Sequence, residues 1–236
     1  MHSFPRGNVG PNGVVPDSFQ AYLIDGAELT SKEQYPILRA DMIPESPPLK
    51  ILPFNKAINY RGDMSDTYIC TYSPDSSFER VRRCPQRYVS FFRRTAGIIG
   101  FDYSIHVDMP VIKQKQQIND NLSLSYYFGN HGINVIPNIR CGIDSLLPEF
   151  LEAIPKHCMI AIGTHGFIKQ VSEKCEWRCF LDNVLPNLEP STIVTYGSLS
   201  GKMFDELKKQ YNFVFYKPWI AERRTEVMKH VDKRSK

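Results

Sequence analysis

No stretch of the chain strings together the ~20 apolar residues that a bilayer-crossing helix needs. The opening residues, Met1-His2-Ser3-Phe4-Pro5-Arg6-Gly7, contain no apolar segment of the kind that drives secretion. A cytoplasmic protein with no membrane partner is therefore expected. Three glycine-dependent motifs are also missing: there is no G-x-G-x-x-G, no P-loop and no G-x-S-x-G, which argues against dinucleotide-binding, ATPase and serine-hydrolase readings. Cysteine is present but not organised. Only Cys175 and Cys179 lie close together, and a C-x3-C pair without a second ligand pair reads better as two half-buried helix residues than as a zinc site.

What the sequence does contain begins with an uneven charge. The 236 residues carry a net +4, yet Arg80, Arg82, Arg83, Arg87, Arg93 and Arg94 stand within fifteen residues that hold no acid. Tyr88, Phe91 and Phe92 are interleaved with them, and Arg223, Arg224, Lys229, Lys233, Arg234 and Lys236 make the end of the chain basic. Phosphate contact combined with base stacking uses this mixture, so the arginine run is a candidate nucleic-acid surface. The competing reading is an amphipathic helix, with the two phenylalanines in the core and the arginines on its solvated face.

Proline and glycine divide the chain into three parts: a Pro/Gly-rich N-terminal arm over 1–48, an α/β domain over 49–218 and a basic helix or tail over 219–236. Short apolar runs at 49–54 and 67–72 suit strands. The stretch 97–110 reads as a buried strand ending in polar residues, followed by strands at 133–137, 158–163, 192–196 and 213–216. Segments of helical length lie between them: 78–84 and 85–94, 110–129, 144–154, 170–185 and 202–211. Such βα alternation specifies parallel strands with right-handed crossovers. The expectation is a parallel sheet of about seven strands, as a modified or incomplete (β/α) barrel more than an open doubly wound sheet.

In either architecture ligands bind beyond the carboxyl ends of the strands. That rule selects Asp102, Tyr103, Ser104, His106 and Asp108, then Asn138, Arg140 and Cys141, then Thr164 and His165, then Tyr196 and Ser198, and finally Lys217. Asp102, His165 and Arg140 are the catalytic candidates. Asp102 serves as a base or binds a substrate hydroxyl, unless it only caps a turn. His165 is an acid/base candidate, or a hydrogen-bonded loop histidine. Arg140 either pairs with Asp102 or waits for an anion. Ser104, Asn138, Thr164, Tyr196, Ser198 and Lys217 are the ligand-binding candidates. His106-x-Asp108 with His165 could ligate a metal, but turn and helix capping explain those residues as well, so no metal is assigned and no motif specifies a cofactor.

Several short motifs occur in order: Phe78-Glu79-Arg80-Val81 with Pro85 and Tyr88, Phe101-Asp102-Tyr103-Ser104, Asp108-Met109-Pro110, Gly132-Ile133-x-Val135-Ile136-Pro137 and Thr195-Tyr196-Gly197. From Phe78 to Tyr216 the chain resembles a family known only as a domain of unknown function and recurrent in phages and other mobile elements. The resemblance implies the extent of the fold and a phage or mobile-element setting, and it implies no activity. That family often carries an aromatic residue where Arg140 stands. Two functions follow as expectations: an enzyme acting on a nucleotide or nucleic acid at the strand-end rim, or a noncatalytic protein that binds nucleic acid or a host partner through residues 80–94. A small-molecule sensor using the same pocket is the third.

Overall fold

The computed structural model describes residues 20–164, 170–221 and 223. Seven strands alternate with helices: β1 (Lys50–Pro53), β2 (Met64–Cys70), β3 (Thr95–Ile99), β4 (Val135–Ile136), β5 (Ile160–Gly163), β6 (Ile193–Tyr196) and β7 (Phe213–Tyr216). The helices are α1 (Phe54–Ala57), α2 (Glu79–Arg83), α3 (Val89–Phe92), α4 (Val111–Asn130), α5 (Leu147–Glu152), α6 (Val171–Leu188) and α7 (Asp205–Gln210). All paired strands are parallel, as the alternation requires.

The expectation of one sheet of about seven strands is corrected. β1-β2-β3-β4 form one sheet and β5-β6-β7 a second. Proline explains the break. β4 is two residues long and runs into Pro137, which has no N–H to continue a ladder. Beyond it, among the described residues, a single parallel bridge, Asn138↔Ala161, joins the sheets. There the Ala161 N–H donates to the Pro137 carbonyl, and the Ile139 N–H donates to the Ala161 carbonyl, both at 2.8 Å. No ladder pairs β1 with β7 among the described residues, so a closed barrel does not form. Across that seam the Tyr216 hydroxyl donates to the Pro48 carbonyl.

Strand residues alternate between two buried faces, which is why these strands read as continuous apolar runs. On one face Ile51, Tyr68, Cys70, Ile99, Ile136, Ala161, Val194 and Tyr196 make a cluster fed by both sheets. On the other, Ile69, Ile98 and Val135 pack with Phe78, Phe92, Leu124 and Phe128, drawing α3 and α4 onto the first sheet. Ile160, Ile162 and Ile193 pack with Phe150, Leu181 and Leu185, drawing α5 and α6 onto the second. Each such buried apolar side chain contributes about 1.5–3 kcal/mol.

Pro110 starts α4 as the sequence indicates, and the helix runs twenty residues to Asn130. The strand of the 97–110 stretch is shorter than the apolar run suggests: β3 ends at Ile99, and residues 100–106 leave the sheet in irregular backbone. Part of the 1–48 segment belongs to the core. Tyr35, Leu38 and Met42 are buried in the cluster that holds α5 and α6. Glu149 of α5 accepts hydrogen bonds from Thr30 Oγ1 at 2.6 Å and the Lys32 N–H at 2.8 Å, and Glu152 accepts from the Ser31 N–H at 2.9 Å.

Candidate functional site

A cavity of 380 Å³ opens at the carboxyl ends of the strands. Its wall takes Pro53 from the end of β1, Gly163 from the end of β5 and Tyr196 from the end of β6. Helix α1 supplies Asn55 and Lys56, and the segments beyond β2, β3 and β7 supply Tyr72, Ser73 and Pro74, then Asp102 and Ser104, and finally Pro218, Trp219 and Ile220.

Asp102 is the most constrained group there, with 8% of its surface exposed. Its backbone N–H donates to Thr71 Oγ1 at 2.9 Å. Asn138 Nδ2 donates to its Oδ1 at 2.8 Å, and Arg140 Nη1 lies 3.6 Å from its Oδ2. Asn138 is oriented in turn by Tyr72, whose hydroxyl donates to Asn138 Oδ1 at 2.9 Å. With its oxygen occupied by that donor, the Asn138 amide must present N–H to Asp102, so Oδ1 stays an acceptor and Oδ2 faces the guanidinium.

Burial raises the Asp102 carboxyl above its ordinary value; the Arg140 charge and the Asn138 hydrogen bond oppose the rise, and the nearby Asp75 adds to it. Burial, then the charges of Asp102 and Cys70, push the Tyr72 hydroxyl well above its usual range. The Cys70 thiol is pushed by burial up to about 12. Tyr72 and Cys70 therefore keep their protons near neutrality.

Aromatic contacts shape the wall. The Tyr72 and Tyr196 rings stack with centroids 5.3 Å apart. The Tyr196 hydroxyl accepts the Trp219 N–H at 2.9 Å, fixing the segment after β7 against the pocket. Lys56 Nζ sits 4.5 Å from the Trp219 ring centroid and the Arg223 guanidinium 5.5 Å.

Of the residues selected from sequence, Asp102, Ser104 and Tyr196 line the cavity, with Asn138 and Arg140 supporting Asp102 from outside its lining. Ser104 is anchored by Asp75, which accepts its hydroxyl at 3.0 Å. Thr164 is buried, its N–H donates to the Tyr196 carbonyl at 3.0 Å, and its hydroxyl has no hydrogen-bond partner among the described residues. Ser198 and Lys217 are exposed and not part of the lining. His165 lies outside the described residues. His106 and Asp108 are exposed, beside a turn closed by the Met109 N–H donating to the His106 carbonyl at 3.1 Å. No group of three or more His, Cys, Asp or Glu among the described residues is placed to hold a metal. Cys175 and Cys179 are free and exposed on α6 rather than half-buried.

Asn55 and Lys56 belong to the polar stretch 55–63, which the sequence marks as able to reach a site, whereas Tyr72 and Trp219 are missing from the sequence selection. Their signal was the same strand-end rule, which applies equally to the first two strands and to the residues after the last.

In the arginine run Arg82 is paired, with Glu79 and Asp120 oxygens each 2.7 Å away. Arg80 lies over the Phe54 ring, and Arg93 donates to the His131 carbonyl at 3.1 Å. Phe92 is buried and Phe91 packs against the same cluster. Arg83, Arg87, Arg93 and Arg94 are exposed.

Fold and cavity together define an α/β protein with parallel sheets and a strand-end pocket built around a buried carboxyl. The chain belongs to the family described as a domain of unknown function, DUF4417, whose model matches residues 28–216. The match begins inside the Pro/Gly-rich segment, at the residues that enter the core. The chain is similar to the Gene 1 protein of Mycobacterium phage D29, 22% identical over 177 residues that cover 72% of this chain and 66% of the relative. It is also similar to the Gene 1 protein of Mycobacterium phage L5, 22% identical over 125 residues, 53% of this chain and 55% of the relative. It thus spans about half to two thirds of the length of these curated relatives. No solved structure matches.

Proposed function

We propose that the chain is an enzyme of a phage or mobile element that acts on a nucleotide or nucleic acid in the strand-end pocket, with Asp102 as the proton-exchanging group. The observation that carries this reading is the Asp102 carboxyl on the cavity wall, buried and held by Asn138 and Arg140. Burial favours its neutral form, and the Arg140 charge with the Asn138 hydrogen bond favours its charged form. The Tyr72–Asn138 pair keeps the carboxyl in one orientation. The phage relatives support the setting.

The test is a turnover assay of the full chain on nucleoside phosphates and short oligonucleotides. Asp102→Asn is expected to lower kcat by about 10²–10⁴-fold while circular dichroism stays unchanged. An unchanged kcat in a folded variant removes Asp102 from the chemistry and this reading with it.

The second reading is a noncatalytic binding protein that uses the arginine run. It is favoured by the exposure of Arg83, Arg87, Arg93 and Arg94. Replacing Arg83, Arg87 and Arg94 together with Ala would then abolish oligonucleotide binding, whereas the enzyme reading leaves pocket turnover intact in that variant.

A further inference from the structure

The wall of the pocket is not held with equal firmness all round. Pro53, Gly163 and Tyr196 stand in paired strands. Asn55 and Lys56 ride on α1, which Phe54 and Ala57, both fully buried, sink into the core. Tyr72 is bonded to Asn138, Asp102 to Asn138 and Thr71, and Ser104 to Asp75. Pro218, Trp219 and Ile220 differ. They follow β7, the last strand of its sheet, and among the described residues they enter none of the three core clusters. Ile220 lines the cavity while 52% of its own surface is exposed, so the wall is thin there.

Two directional contacts tie Trp219 to the body of the protein. Its backbone N–H donates to the Tyr196 hydroxyl at 2.9 Å, and its ring receives the Lys56 ammonium 4.5 Å from the centroid. Its contact with the Arg223 guanidinium, at 5.5 Å, lies within the segment after β7, as does the bond from the Ala221 N–H to the Pro218 carbonyl at 2.8 Å. Contacts of that second kind travel with the segment and do not hold it down. Immediately before it the chain is fixed: the Tyr216 carbonyl accepts the Gly197 N–H at 2.9 Å, and the Tyr216 hydroxyl donates to the Pro48 carbonyl. Exposed Lys217 therefore stands as the pivot between an anchored strand and a lightly held cover. A surface cation–π contact and one hydrogen bond are weak enough to break and re-form on the timescale of loop motion.

We propose that residues 218–221 form a lid over the strand-end pocket, hinged at Lys217 and latched by Lys56 on the Trp219 ring. The structure shows the closed position. In the open one the indole leaves Lys56 and Tyr196, and the side of the cavity made by Pro218, Trp219 and Ile220 opens to solvent for ligand exchange. The lid serves any occupant of the pocket, so it stands or falls separately from the enzyme reading.

Amide hydrogen exchange on the full chain, followed by NMR, tests the lid without a ligand. The Trp219 N–H is expected to exchange more slowly than an unprotected amide but about tenfold or more faster than the Gly197 N–H, which reports β7 leaving β6. Lys56→Met, at an exposed position, keeps the Trp219 hydrogen bond and removes the cation. It is expected to speed Trp219 exchange about two- to fivefold, the worth of a surface cation–π contact, and to leave Gly197 unchanged. Ser73→Cys places a thiol on the cavity wall. Its alkylation by iodoacetamide, read by peptide mass, is expected to rise by the same factor when Lys56→Met is added, while the exposed Cys175 and Cys179 react as before. Equal exchange at Trp219 and Gly197 would make the segment a fixed wall, and exchange at the unprotected rate would leave no closed state. No response to Lys56→Met would remove the latch, and an unresponsive Ser73→Cys thiol would mean that the movement does not open the pocket. Each of these results overturns the proposal.

Discussion

At the scale of single residues, Asp102 gives the sharpest solution behaviour. Its folded value lies above the ordinary 3.8, chiefly because it is buried. A carboxyl with a raised folded value binds its proton more tightly in the native state than in the unfolded chain. Its contribution to stability is therefore complete below 3.8 and is lost as pH rises through the folded value. Urea denaturation of the wild type and of Asp102→Asn across that range is expected to show a wild-type advantage that shrinks as pH increases. A pH-independent difference would mean that the carboxyl titrates alike in both states. Asp102 was legible in the sequence because it follows an apolar strand, where the fold class delivers functional groups. Its pairing with Arg140 was one of two stated alternatives, and the 3.6 Å contact realises it. Tyr72 carried no such label: an aromatic at the end of a strand looks like core, and only the pairing of β2 beside β3 brings its hydroxyl to Asn138.

Among the elements, β5 shows how a strand end clears space for the site. Gly163 closes β5, and a Cβ there would lie 2.5 Å from the Tyr72 ring. Gly163→Ala is expected to drive that ring off Tyr196 and away from Asn138, at a cost of about 1–3 kcal/mol. Near-UV circular dichroism reports the tyrosine displacement and urea denaturation the cost; an unchanged spectrum would mean that the wall accommodates a methyl group. The positions of the strands were readable from their apolar runs, and Pro110 announced α4. The division into two sheets was not. It turns on a two-residue strand and one proline, too little sequence for periodicity to register, and on partners that lie far apart along the chain.

For the molecule as a whole, residues 35–42 of the Pro/Gly-rich segment form an integral wall. Met42 is 4% exposed, and it approaches α4 so closely that a Cβ at Gly129 would lie 2.4 Å from its sulfur. Met42→Ala is expected to cost about 2–5 kcal/mol in urea denaturation, the range for a core truncation, where a loosely laid arm would lose under ~0.5 kcal/mol. Proline and glycine counts mark this stretch as irregular without revealing that it is buried, because burial depends on what it packs against. Among the described residues no helix is long and apolar enough to cross a membrane, in keeping with the missing apolar runs.

Asn138 occupies two frameworks at once. Its backbone bridges the two sheets, and its side chain holds the Asp102 carboxyl. The amide thus works as a strain gauge glued across an expansion joint. A slip of either sheet against the other reaches the Asp102 carboxyl through Asn138, and neither sheet alone supplies every wall of the site.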